Sequence, residues 1–109
     1  MTASLARTWL RSRIPLQPEP LVRRMEAALA ATPARAEDVG VHLAEAGLRC
    51  LREALDGGGS RAAAFDLLTA DALLTSACEA AAEQGAAALD ALTAAYGPAR
   101  FAALLEAEA

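Results

Sequence analysis

A Gly-Gly-Gly-Ser tetrad at residues 57–60 stands between the two longest helix-forming stretches of this chain. On its C-terminal side the sequence runs from Arg61 to Gln84 without a glycine or a proline. On its N-terminal side, residues 37–56 are dominated by Leu, Ala, Glu and Arg, all good helix formers. Glycine just past the last periodic residue stops a helix, and Ser60 is a suitable N-cap for the next one. A helix capped by Ser60 and running on to Gln84 would be about 36 Å long at a rise of about 1.5 Å per residue. Two long helices joined by so short a loop fold back as an antiparallel hairpin. The fold expected is therefore all-α: a small bundle of five to six helices around a hairpin at about 37–56 and 60–84.

The remaining punctuation supplies the other helices. Thr2 or Ser4 suits the cap of a short first helix ending near Ser12. Pro15, Pro18 and Pro20 then impose an extended connection, and Pro20 is placed to open the next helix. That helix carries Leu21, Val22, Met25 and Leu29 on one side and stops near Thr32-Pro33. The third helix starts around Ala36 or Glu37, with Glu37 and Asp38 at the positive end of its dipole. Beyond Gly85, a helix with Leu89 and Leu92 ends at Gly97. Pro98 opens a last one with Phe101, Leu104 and Leu105. The organisation is a basic amphipathic helix over 1–13, a Pro-rich linker over 14–20 and a bundle over 20–109.

Strands find no support. The β-branched aliphatics are confined to Ile14, Val22, Val39 and Val41, with no alternating run. Bulk is scarce as well, since the aromatics are Trp9, Phe65, Tyr96 and Phe101. The 55% hydrophobic content is mostly Ala, which buries little area per residue. The seam expected between the hairpin helices is Val39, Leu43 and Cys50 against Leu67, Leu74 and Cys78. Leu48, Leu51 and Leu55 add a second apolar flank, an arc wide enough to meet more than one neighbour. A core so thin favours an oligomer that shares apolar surface.

Cys50 and Cys78 match no metal or redox spacing and read as buried small apolar residues. No apolar stretch reaches the roughly 18 residues of a membrane span, and no secretory h-region is evident. A cytoplasmic location is the resulting expectation. Charge is uneven: residues 1–35 carry Arg7, Arg11, Arg13, Arg23, Arg24 and Arg35 against Glu19 and Glu26. The remainder is strongly acidic, and the whole chain has a net charge of −4. Nucleic acid is not an expected partner, because the acidic body repels phosphate and no recognition motif is present.

Three stretches bear on chemistry. His42, the only histidine, is expected on a solvated stripe with Asp38, Glu45, Arg49, Arg52, Glu53 and Asp56. Asp71, Thr75, Glu79 and Glu83 step along the fourth helix at intervals of four and read as a polar boundary. Leu67-Leu68-Thr69-Ala70-Asp71-Ala72-Leu73-Leu74-Thr75 through Glu79 resembles one helix of the isoprenyl diphosphate synthases. Those all-helical enzymes hold Mg²⁺ with Asp-Asp-x-x-Asp motifs. This chain contains no such motif, so the resemblance implies a helix and no site. Gly57-Gly58-Gly59-Ser60 lacks the lysine of a phosphate loop. No catalytic residue, cofactor or metal is expected.

The third stretch is the first helix. Leu5, Arg7, Trp9, Leu10, Arg11 and Arg13 form a short basic amphipathic face ahead of the prolines, suited to a partner groove or a neighbouring subunit. It would give at most weak peripheral contact with an anionic membrane. The competing placement packs Leu5 and Trp9 onto the protein's own hairpin. The function expected is a non-enzymatic interaction module, a homo-oligomer or an accessory subunit of a larger complex, with a protein partner or self-association. The alternatives are a carrier of a small apolar ligand near Gly40, Ala44, Gly47 and Ala80–Ala82, and a small enzyme with a carboxylate site at Asp71, Thr75 and Glu79.

Overall fold

The computed structural model of the chain describes residues 5–13, 17–34 and 38–108. Caps expected at Thr2 or Ser4, the linker around Pro15 and the helix start at Ala36 or Glu37 lie outside them. Among the described residues six helices follow one another: α1 (Leu5–Arg11), α2 (Glu19–Ala30), α3 (Val39–Asp56), α4 (Arg61–Glu83), α5 (Ala86–Ala95) and α6 (Pro98–Glu108). No strand occurs among the described residues. The longest of these helices is α4, with 23 residues, in a molecule whose longest dimension is 35 Å.

Local chemistry sets the helix ends. The Asp38 side chain accepts the Val41 N–H at 3.0 Å and caps α3. The Ser60 hydroxyl accepts the Ala63 N–H at 3.0 Å and caps α4. Between them Gly58 and Gly59 have φ of +58° and +82°, a region that side-chain-bearing residues avoid. Pro18 caps α2, so Pro20 is its second residue rather than its first. No ladder bond is lost, because the first N–H groups of a helix have no internal partner.

The α3–α4 hairpin dominates the packing. It is built on small residues. A Cβ added at Gly47 would lie 2.8 Å from Leu74 Cγ, and one at Gly40 would lie 3.3 Å from the Ala77 carbonyl oxygen. Leu43, Ala44, Ala46 and Cys50 meet Ala70, Leu73, Ala77 and Ala80 in the core. At Gly40 and Gly47 the two helices are thus in close contact.

This arrangement corrects the expected seam. Leu43 and Cys50 are buried, but Leu67 is 54% exposed, Cys78 is exposed, and Val39 and Leu74 are half-buried. The face α4 turns inward is Ala63, Ala70, Leu73, Ala77 and Ala80. Alanine lets two backbones approach closely, and close approach multiplies weak dispersion contacts. A leucine in the same place would hold the helices apart.

α2 packs on α3 and α4, α1 on α2 and α3, α5 on α4, and α6 on α3. Of the α2 residues expected on one side, Val22, Met25 and Leu29 are buried and Leu21 is half-buried. Because α3 touches four other helices, its buried arc is wide, and it includes His42. His42 is therefore not on a solvated stripe. Its Nε2 lies 3.1 Å from the Leu29 carbonyl oxygen and 2.9 Å from that of Thr32, at the end of α2. An Nε2–H donates to these carbonyls, which a helix C-terminus leaves short of partners.

Candidate functional site

A cleft beside α4 joins residues of that helix to Arg13 and Gln17 of the segment between α1 and α2. Asp71, Thr75 and Glu79 occupy successive turns of α4, and all three line one open cleft of about 290 Å³. Arg13, Gln17, Ala72 and Ser76 complete it. Ser76 is 1% exposed, and its hydroxyl has no hydrogen-bond partner among the described residues. The buried Gln17 Oε1 also lacks one there. Unpaired buried polar atoms are uncommon in folded proteins, and two at one cleft mark it as unusual.

Each residue of the first helix has a definite place. Ala6 and Leu10 are buried against the body, at 1% and 0% exposure. Leu5 is 51% exposed, so the inward pair is Ala6–Leu10 rather than Leu5–Trp9. Trp9 is half-buried, and its Nε1–H donates to Glu83 at 2.8 Å. The Arg13 guanidinium pairs with the same carboxylate and stacks over the Trp9 ring at 4.6 Å. Arg7 Nε donates to Glu26 at 3.2 Å. Arg11 grips Glu26 with two N–H groups, each at 2.5 Å, and reaches Glu19 at 3.1 Å. That bidentate fork holds the Glu26 carboxyl below the usual range; partial burial opposes the shift without cancelling it.

The arginines of α1 are thus matched by Glu19 and Glu26 of α2, and Arg13, just past α1, by Glu83 of α4. Glu19 and Glu26 are seven residues apart, two turns along one helix face, a spacing visible in the sequence. The involvement of Glu83, 74 residues from Trp9, has no such local signal.

The cleft offers carboxylates, hydroxyls and one guanidinium. Among the described residues, neither a histidine nor a thiol lines it. His42 is occupied at the end of α2, and the Cys50 thiol is pushed up to about 11, chiefly by burial. Among the described residues no three His, Cys, Asp or Glu side chains are placed to hold a metal ion. The cleft thus presents the Asp71 and Glu79 carboxylates as hydrogen-bond acceptors beside the Arg13 guanidinium as a donor.

Fold and site together define a small all-α helical bundle whose first helix is docked on its own body. The chain matches no known family, no curated protein and no solved structure. No helix among the described residues is long and apolar enough to cross a membrane.

Proposed function

We propose that this chain is a non-enzymatic interaction module that self-associates through the outer face of α4. One observation carries the reading. In a protein short of bulky core residues, the longest helix buries Leu73 but leaves two of its four leucines facing outward. Leu67 and Leu68 are each 54% exposed, and Cys78 is exposed further along the helix. Large apolar side chains left exposed side by side on one helix suit an association surface, and self-complementary pairing of one patch is the commonest route to an oligomer.

The surface is placed on α4 rather than on α1 because α1 is already engaged within the chain. Its inward residues are buried and its arginines are paired, leaving Leu5 as its large exposed apolar side chain. A cytoplasmic setting suits two free thiols, one of them exposed, since a reducing compartment preserves them.

Light scattering coupled to size-exclusion chromatography tests the reading. The wild-type chain should elute as an oligomer, and Leu67→Glu with Leu68→Glu should convert it to a folded monomer. A wild-type monomer at every accessible concentration overturns the proposal.

A further inference from the structure

Most arginines of this protein have a partner. Arg7, Arg11, Arg13 and Arg23 pair with carboxylates, Arg24 and Arg61 lie over the Phe65 ring, and Arg100 reaches Glu45 and the Tyr96 ring. Among the described residues, Arg49 and Arg52 have no ion pair, hydrogen bond or ring contact. The sequence offers them partners one turn away, Glu45 and Glu53 for Arg49 and Asp56 for Arg52. None of these pairs closes. Glu45 instead accepts the Tyr96 hydroxyl at 2.6 Å and faces Arg100 at 3.4 Å.

The two unpaired guanidiniums share one place. Arg49 and Arg52 line a cleft of about 320 Å³ between α3 and α6, and Arg100 lines it from the opposite side. Leu48 and Leu104, 8% and 7% exposed, supply apolar lining. Arg100 sits in the first turn of α6, where the helix dipole is positive and no acidic residue offsets it. Among the described residues, the Glu45 carboxylate is the one negative group lining the cleft, and it is already shared between Tyr96 and Arg100. On a protein of net charge −4, three converging guanidiniums form a local exception.

We infer that this cleft binds a small organic anion: an oxyanion head, phosphate or carboxylate, on a compact apolar body. Arg49 and Arg52 grip the head with planar, multidentate donors, a geometry matched to such oxygens. Leu48 and Leu104 take the apolar part. The volume lies at the lower end of small-molecule sites, which limits the ligand to roughly one ring with its acidic group.

The test is a titration of the full chain, followed by NMR of the arginine Nε–H groups at constant ionic strength. Phenyl phosphate, benzoate, inorganic phosphate and chloride are the probes. Phenyl phosphate or benzoate should shift Arg49, Arg52 and Arg100 saturably and bind more tightly than inorganic phosphate. Arg49→Gln with Arg52→Gln should weaken that binding by at least about tenfold, equivalent to about 1.4 kcal/mol. Each single variant should weaken it too, so the test does not depend on the double variant folding. Both positions are exposed, and circular dichroism should be unchanged. The inference is overturned by no saturable shift up to about 10 mM of either organic probe. It is equally overturned by unchanged affinity in the variants, or by chloride or inorganic phosphate acting as strongly as the organic anions.

Discussion

Trp9 and Glu83, 74 residues apart, are joined by an indole N–H to carboxylate hydrogen bond of 2.8 Å that ties the first helix to the end of the fourth. Trp9 is the only tryptophan, so its fluorescence reports this junction alone. Glu83→Gln keeps the side chain's size and removes the charge shared with Arg13. The emission spectrum should shift, and the urea midpoint should fall by an amount equivalent to about 1 kcal/mol. An unchanged spectrum and midpoint would show that α1 does not depend on this contact.

Gly47 tests the close packing of the hairpin. In an exposed helix, Gly→Ala stabilises by about 1 kcal/mol. Here the new Cβ would lie 2.8 Å from Leu74 Cγ. Overpacking of this kind should reverse the sign and cost about 1–3 kcal/mol in urea or thermal unfolding. A gain in stability for Gly47→Ala would mean that α3 and α4 are not in contact at that point.

Glu26 predicts how the protein responds to acid. Its carboxyl is held below the ordinary range in the folded protein, first by the Arg11 fork and then by Arg7. Such a group contributes stability that is complete above its unfolded value and is lost as pH falls through the folded value. Thermal midpoints should therefore decline below about pH 4.3. Glu26→Gln, stable or not at neutral pH, should decline less steeply over that window, and parallel curves for the two proteins would refute the assignment.

Tyr96, the only tyrosine, is pushed up to about 12, first by burial and then by its hydrogen bond to Glu45. A raised value stabilises the fold below the unfolded value of about 10, and that contribution is lost as pH rises through the folded one. Absorbance at the phenolate band should titrate near 12 in the native protein. Because burial is the larger cause, Glu45→Gln should return only part of the shift. Titration at the free-tyrosine value would place the ring in solvent.

The thiols should differ in reactivity. Cys78 is exposed, whereas Cys50 is buried and its thiol is raised to about 11. A thiol reagent should modify one equivalent quickly in the native state and the second only on unfolding. Two equally fast phases would contradict the burial of Cys50.

Much of this protein was determined locally, by the sequence itself. Asp38, Ser60, Gly58, Gly59, Gly85 and the prolines act on their own and adjacent residues, so helix number, the all-α class and the hairpin follow from neighbours in the chain. Periodicity likewise placed Val22, Met25 and Leu29 of α2 in the core. What faces what was decided by tertiary structure. The carbonyls of Leu29 and Thr32 drew His42 inward from another helix, and close approach of α3 and α4 chose an alanine face over Leu67. The pairing of α1 with Glu26 and Glu83 and the convergence of Arg49, Arg52 and Arg100 arose the same way. Caps and turns depend on bonds within a few residues, whereas the choice among faces depends on how near two backbones come and which partner reaches each charge, and those are properties of the packed molecule.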